Sequence, residues 1–348
     1  MLGNTVAIAA ENHLQRRVPL RLGPFLLDNA VVLAPMSGVT DAVMRRIAAR
    51  CGAGLVVSEM VASDRLAGGD EEARLRAEAP GIGPHVVQLA GCDARWMGEA
   101  ARAAVGSGAD IIDINMGCPA KRVTGGWSGS ALMRNIDHAL TLIDATASAV
   151  SVPVTVKMRL GWDEASISAP ELARRAQDAG VALVTVHGRT RNQFYKGKAD
   201  WLAIRAVKQA VTIPVVANGD CRSLSDALAM LTQSGADAVM VGRAAQGRPW
   251  LPGAIAAGLA TGREVQPPPA DVQRDLALEH YQGLLGLYGA EHGVRHARKH
   301  LASAMEAGAE SFGTGEERLR QAVLTSTDPA DVYRDFTRFF DSFGRAAA

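Results

Sequence analysis

Polar side chains that could do chemistry recur at the ends of short apolar runs. In residues 154–159 (VTVKMR), the polar residues Thr155, Lys157 and Arg159 alternate with valine and methionine. Because successive side chains of a strand point to opposite faces, the polar residues share one face. The same alternation marks other runs through Gln88, Asp113, Asn115, Thr185, His187 and Asn218. Burying a polar group unpaired costs roughly 2 kcal/mol or more. This repetition predicts a shared polar pocket.

Two loops carry the residues of a phosphate site. One reads Asn218-Gly219-Asp220 and the other Gly242-Arg243. Glycine lets backbone amides approach a ligand, and an arginine can bind phosphate with two hydrogen bonds. Such a site would serve FMN or a sugar phosphate equally well.

Eight short β-branched runs alternate with helical patterns and would position these residues. The alternation predicts an α/β fold, a (β/α)8 TIM barrel, whose functional residues gather at the carboxyl ends of the strands. A doubly wound sheet fits less well, because no GxGxxG follows the first run. The predicted strands span residues 29–36, 54–60, 85–91, 110–116, 153–160, 183–188, 214–219 and 238–243.

The pattern changes after Gly258. A stiff Pro267-Pro268-Pro269 segment precedes helical stretches at 271–287, 296–307 and 330–343. We therefore expect a barrel domain over residues 1–255, followed by a smaller all-helical domain over 256–348.

Composition limits the function classes. The chain of 348 residues is 48% hydrophobic and 21% charged, typical of a globular protein. It has no apolar run of membrane-spanning length, and residues Val6 to Ala10 lack the basic leader of a signal peptide, so a cytoplasmic protein is expected. Its four cysteines form no CxxC pair, which argues against a zinc knuckle or a disulfide framework.

With a net charge of only +1, the chain as a whole lacks the basic character that indicates a nucleic-acid partner. Any evidence for RNA must therefore come from local clusters of basic residues. The residues from Pro252 onward include 10 basic and 13 acidic side chains. His292, His296 and His300 repeat every four residues beside basic side chains, and RNA contact is favoured over metal binding for them. A basic rim is predicted at the barrel mouth from Lys121, Arg122, Arg159, Arg189, Arg191, Lys196, Lys198, Arg243 and Arg248.

The sequence resembles the tRNA-dihydrouridine synthases, most closely their bacterial DusB-like branch. The resemblance spans Leu33 to Trp250 and is weaker in the tail, where it depends on GVRHARKH. The loop at residues 124–127 (TGGW) departs from the family pattern. The motifs are LAPMSGVTD, GLVVSEM, VQLAG, DINMGCPAKRV, VKMRLGW, VHGRTR, VVANGD and MVGRAAQGRPW.

The resemblance implies an FMN site. Ring contacts are implied for Pro35, Met36 and Ser37, and hydrogen bonds to the polar edge of the ring for Gln88 and Lys157. A position beside flavin and phosphate is implied for His187. The ribityl chain and phosphate are assigned to Asn218, Gly219, Asp220, Gly242 and Arg243.

The implied reaction reduces the 5,6 double bond of a uridine in tRNA. Hydride would come from FMN reduced by NADPH or NADH, because no side chain supplies hydride. Cys118 matches the proton donor of the family, and cysteine thiols are mostly protonated at neutral pH. Asn115 and Arg159 are expected to face the uracil. Lys121 and Arg122 are expected to contact RNA.

Two other functions remain open at this stage. An FMN barrel acting on a free pyrimidine or another small enone would explain the pocket without the basic rim or the tail. A barrel used only for binding or regulation would not need the combination of Cys118, Lys157 and Asn115. A monomer that binds neither metal nor membrane is expected.

Overall fold

A computed structural model describes residues 19–79 and 81–343 of the chain. Residues Val6 to Ala10, which we interpret as lacking the features of a signal peptide, lie outside the described residues. None of the helices within the described ranges is both long and apolar enough to cross a membrane.

Eight parallel strands close into a barrel. Every predicted strand is confirmed, with ends that differ by a few residues. A short hairpin, β1 (Arg21–Leu22) and β2 (Phe25–Leu26), precedes the barrel. The barrel strands are β3 (Val31–Leu33), β4 (Leu55–Ala62), β5 (Val86–Ala90), β6 (Ile111–Met116), β7 (Val154–Arg159), β8 (Leu183–His187), β9 (Val215–Asn218) and β10 (Ala238–Val241). They pair in the order β10-β3-β4-β5-β6-β7-β8-β9, which closes between β9 and β10.

Helices surround the barrel and form the tail. Short 3-10 turns cover Gly129–Arg134 and Arg243–Ala245. The α-helices are α1 (Ala42–Arg50), α2 (Ser63–Ala67), α3 (Glu71–Ala77), α4 (Ala94–Gly106), α5 (Lys121–Thr124), α6 (Ile136–Ala147), α7 (Ala169–Asp178), α8 (Ile204–Ala210), α9 (Leu224–Ser234), α10 (Leu251–Thr261), α11 (Ala270–Phe312), α12 (Glu317–Thr325) and α13 (Pro329–Asp341).

The alternation of strand residues divides the barrel into two chemical layers, as predicted. On β7, Val154, Val156 and Met158 belong to the main apolar core, which the outer helices complete. Helix α4 illustrates the outer layer. The side chain of Asp93 accepts a hydrogen bond from the Trp96 N–H at its start, and its apolar side is buried on the sheet. The polar members of each strand are left to line the barrel interior.

The tail has an apolar core of its own, built around Tyr281, Val323, Phe336 and Phe339. Helix α11 joins two of the predicted helices, and its backbone leaves helical geometry at Gly289 (φ 72°, ψ 168°). Helix α12 was not predicted. The expected domain boundary after residue 255 falls inside helix α10, which packs into the barrel core. The division into two domains therefore stays a prediction.

Helix α11 packs directly on the barrel. His280 Nε2 lies 2.9 Å from Asp41 Oδ2, and Arg248 forms an ion pair with Glu310. A Cβ atom at Gly247 would lie 2.2 Å from the Ser303 carbonyl oxygen. Close backbone approach at Gly247 thus allows the helix to sit against the loop that follows β10.

Replacing Gly247 with alanine should destabilise the protein more than the same change at Gly235. The two residues have almost the same φ, +69° and +68°, so both variants carry the left-handed backbone cost of about 1–2 kcal/mol. Only the new Cβ of Gly247→Ala collides with helix α11, since Gly235 has open space around it. We expect an additional loss of about 1–3 kcal/mol in the free energy of unfolding, measured by urea denaturation. Equal losses in the two variants would contradict this packing.

Candidate functional site

A cavity of about 670 Å³ opens at the carboxyl ends of the barrel strands. Its volume is in the range of small-molecule and cofactor pockets. Among the residues singled out from the sequence, Lys121 is not part of the lining and lies exposed on α5. The lining brings together Pro35, Met36, Ser37, Gln88, Asn115, Cys118, Arg122, Lys157, Arg159, His187, Asn218, Gly219, Asp220, Gly242 and Arg243.

A chain of hydrogen bonds runs through the barrel to the loop of Cys118. The hydroxyl of Thr155 donates to Asp113 Oδ1 at 2.5 Å, and Gln88 Nε2 donates to Asp113 Oδ2 at 2.7 Å. Asn115 Nδ2 donates to Gln88 Oε1 at 2.8 Å. The side-chain Oδ1 of Asn115 then accepts a hydrogen bond from the backbone N–H of Cys118 at 2.9 Å. Burial raises the pKa of Asp113, against the effect of these hydrogen bonds.

Cys118 is half-buried on the loop after β6, and it lines the cavity. Both the backbone N–H and the hydroxyl of Ser130 donate to its carbonyl oxygen, at 3.1 and 2.9 Å. A Cβ atom at Gly129 would lie 2.8 Å from the same oxygen, so a glycine allows the chain to return closely. The backbone of Cys118 is thus held from two directions at the edge of the cavity.

Lys157, His187 and Asn218 form the basic side of the cavity. Lys157 Nζ donates to Asn218 Oδ1 at 3.1 Å, while Asn218 Nδ2 donates to the Met240 carbonyl at 2.9 Å. Burial, and then the nearby Arg159, lower the pKa of Lys157 to about 8. Burial and the same cations hold the pKa of His187 well below its usual range. At neutral pH, Lys157 is therefore mostly an ammonium and His187 a neutral imidazole.

The loop after β9 is shaped by close packing. Gly219 has a φ of +119°, and a Cβ there would lie 2.7 Å from Ala199 Cβ and 2.9 Å from His187 Cδ2. The next residue, Asp220, forms an ion pair with Arg189 at 2.5 Å. Burial raises the pKa of Asp220, but the hydrogen bonds from Arg189 and Ala199 outweigh it and leave a lowered pKa.

Two arginines of the site differ in what their guanidinium groups can do. Arg159 is 1% exposed and donates to the carbonyls of Gly117, Thr190 and Phe194 at 2.8, 2.8 and 2.9 Å. Arg243 has a side chain that is 53% exposed, 3.6 Å from Asp220 Oδ1. Arg243 is consequently available to an anion, whereas Arg159 mainly holds loops in place.

The predicted basic rim is partly wrong. Arg159 and Arg189 are each 1% exposed, and Arg189 is neutralised by Asp220. Arg248 is paired with Glu310. The exposed cations of the rim are Lys121, Arg122, Lys196, Lys198 and Arg243.

The prediction of RNA contact for the histidines of helix α11 is wrong for His300. Its ring packs on the ring of His280, with centroids 4.5 Å apart, and its Nε2 atom is buried without a hydrogen-bond partner in the described structure. Burial, and then the proximity of His280, lower the pKa of His300 to about 3. Asp41, His280 and His300 lie together where the tail meets the barrel.

Sequence reasoning assigned no site role to several residues that line the cavity, among them Tyr195 and Met60. Tyr195 is exposed at the mouth, and its ring lies 5.6 Å from the Arg159 guanidinium and 4.7 Å from that of Arg243. Met60 lines the cavity from β4. Parity along β4 could not indicate Met60, because the strand register shifts between Val57 and Met60, and Tyr195 lies in an irregular loop without a periodic signal.

Replacing Asp220 with asparagine should destabilise the protein by roughly 3 kcal/mol, because it leaves the buried Arg189 without its counterion. The matched control is Asp178→Asn, which breaks an exposed pair with Arg174 and should cost less than about 1 kcal/mol. Both free energies of unfolding are to be measured at pH 7.

The destabilisation caused by Asp220→Asn should also depend on pH. Since the folded pKa of Asp220 is lowered from 3.8, its stabilising effect is complete above that value and disappears as the pH falls through the folded pKa. The difference between wild type and Asp220→Asn should therefore shrink in acid. An unchanged difference at pH 3 would exclude an electrostatic origin.

Comparison with known proteins places this geometry in a family. Curated relatives include a probable tRNA-dihydrouridine synthase of Rhizobium leguminosarum bv. phaseoli, 56% identical over 87% of this chain and 93% of the relative. Another is tRNA-dihydrouridine synthase B of Xanthomonas axonopodis pv. citri, 49% identical over 81% of this chain and 85% of the relative.

Solved structures share the fold at low identity. Histamine dehydrogenase from Rhizobium sp. 4-9 has a TM-score of 0.54 at 16% identity, over 82% of this chain and 50% of its own. An amine oxidase of Pseudomonas geniculata N1 has a TM-score of 0.51 at 16% identity, over 76% of this chain and 52% of its own. The family model for dihydrouridine synthase matches residues 32–340, and the chain belongs to that family.

Proposed function

We propose that this protein is an FMN-dependent tRNA-dihydrouridine synthase, which reduces the 5,6 double bond of a uridine in tRNA with electrons from NADPH or NADH. The observation that carries the proposal is one cavity, whose wall brings together Cys118, Lys157 and the glycine loop at Gly219. The names of the relatives, tRNA-dihydrouridine synthases, support the choice of substrate.

The residues present fit FMN. Gly219 exposes backbone without a side chain in the cavity wall, and Arg243 keeps an exposed guanidinium next to Asp220 in the same wall. These two features suit a phosphate. Lys157 and Gln88 would contact the polar edge of the ring, and Pro35 to Ser37 its flat face. When bound, FMN supplies the hydride that carbon 6 of the uracil receives.

The protein's own residues would complete the reduction by delivering a proton. Carbon 5 of the uracil gains this proton, so the double bond is replaced by two C–H bonds. Cys118 is assigned the proton because its thiol is the half-buried acid on the cavity wall. Asn115 holds the backbone of Cys118, and its position in the lining suits contact with the uracil. Arg159 is also assigned to the substrate side, through the loops it holds.

A uridine within a folded RNA must leave its stack to enter such a cavity. The exposed cations of the rim suit the phosphates around the extracted base. The region over residues 256–348 is proposed to extend the RNA surface. The protein is expected to be a cytoplasmic monomer without a metal.

An FMN barrel acting on free pyrimidines or small enones remains the second candidate. The direct test is to supply the purified protein and NADPH with unmodified tRNA or with free uridine, and to measure dihydrouridine by mass spectrometry. We expect one FMN per chain and product only in tRNA. A colourless protein that FMN cannot reconstitute would refute the proposal, and reduction of free uridine alone would favour the second candidate.

Replacing Cys118 with alanine should separate the two half-reactions. Flavin reduction by NADPH should survive, because it does not use the thiol. Loss of a positioned general acid costs about 10²- to 10⁴-fold, so single-turnover formation of dihydrouridine should fall by that factor. FMN content and RNA affinity serve as controls and should stay near wild type. A wild-type rate under conditions where chemistry limits turnover would show that Cys118 is not the acid.

Replacing Lys121 and Arg122 with alanine should weaken tRNA binding and reduce its salt dependence. Both side chains are exposed on α5, directly after the loop of Cys118. If both contact phosphate, the slope of log affinity against log salt should fall by about two counterions. The matched control is Arg174→Ala, whose guanidinium is already paired with Asp178. An unchanged slope in the double variant would exclude these phosphate contacts.

A further inference from the structure

Five side chains from three loops form an alternating stack beside the cavity. The Arg134 guanidinium lies 5.7 Å from the Trp127 ring and 4.8 Å from the Trp162 ring. The Arg191 guanidinium lies 4.6 Å from both the Trp162 and the Phe194 rings. We call Trp127, Arg134, Trp162, Arg191 and Phe194 the aromatic–arginine ladder.

The ladder adjoins the cavity through one hydrogen bond and through a residue that lies between Trp127 and Arg134 in the chain. Arg159, in the cavity wall, donates to the carbonyl of Phe194. At the other end, Ser130 holds the carbonyl of Cys118 by two hydrogen bonds, three residues after Trp127 in the chain. A ligand on the ladder would therefore lie next to the mouth of the cavity.

Trp127 ends the ladder in an unusual state. Its side chain is 60% exposed, and its backbone has a φ of +59°, which a bulky residue rarely adopts. Within residues 19–79 and 81–343, Arg134 is the one cation stacked on its ring, and no aromatic ring covers the other face. A strained backbone that presents a large apolar ring to solvent points to a binding role.

The charge of the ladder is not compensated. Elsewhere on the surface, Arg175 pairs with Asp137 and Arg295 with Glu291. In the described part of the chain, neither Arg134 nor Arg191 pairs with a carboxylate, and Arg191 Nε is buried without a partner. Asp163, the nearest carboxylate in sequence to Trp162, accepts instead from Ser166 at 2.6 Å. Free cations beside an exposed ring suit a ligand with both a flat face and negative charge.

We propose that the ladder binds an unpaired nucleobase of the RNA substrate, which stacks on the free face of Trp127 while Arg134 contacts its phosphate. The proposal depends on the proposed function, because it names a second base of the same RNA. Aromatic rings and guanidinium planes are the surfaces on which proteins stack unpaired bases. The free charge favours RNA over an apolar protein segment.

The test compares Trp127→Ala, Trp127→Phe and Arg134→Gln for tRNA affinity across a salt series. Trp127→Ala should weaken binding by about 5- to 100-fold without altering the salt slope, since it removes stacking and no charge. Phenylalanine should restore most of the affinity. Arg134→Gln should weaken binding and lower the slope by about one counterion.

The control is Trp96→Ala, which removes a ring stacked 4.7 Å from Arg95, a guanidinium already paired with Glu99. It should leave affinity unchanged, and thermal unfolding checks that each variant folds. A wild-type affinity in Trp127→Ala, or a phenylalanine variant that binds as weakly as the alanine variant, refutes base stacking on the ladder and leaves the proposed function untouched. A wild-type protein that neither binds tRNA nor forms dihydrouridine overturns the proposed function as well.

Discussion

The geometry of the cavity depends on the burial of Asp113 inside the barrel. This carboxylate is 4% exposed, and a buried charge that lacks partners costs several kcal/mol. Both of its oxygens are satisfied, by Thr155 and Gln88, and Gln88 in turn fixes Asn115. Because each donor is already engaged, none of these side chains can rotate without leaving another unpaired. The position of the Cys118 backbone follows from this chain.

The cavity also concentrates positive charge. Lys157 and Arg159 lie in the same cavity wall, and burial lowers the pKa of both. Because burial also keeps His187 neutral, the wall remains positively charged but carries less charge than three cations would. Such an arrangement is unfavourable in an empty pocket and becomes favourable when an anion binds, since the donors are already oriented. The polar residues of the barrel thus favour a negatively charged ligand.

The strands and the inward-facing residues could be predicted because the period of two along a strand is local. Lys157 and Asn218 needed only their own strands to be placed at the mouth. The environment of Arg189 could not be predicted, since its burial depends on Asp220, 31 residues later. The position of His300 depends on contacts with His280, which itself binds Asp41 from 239 residues away. Periodicity on one helix could not reveal this barrel contact.

The close contact of helix α11 with the barrel has a consequence for shape change during recognition. The backbone of Ser303 lies against Gly247, and His280 binds Asp41, so the tail is fastened to the barrel at both a backbone contact and a buried polar contact. A hinge movement of the tail relative to the barrel would break both contacts. If the proposed function holds, the protein would act as a fixed template, and the nucleic acid would have to bend and unstack for a uridine to reach the cavity.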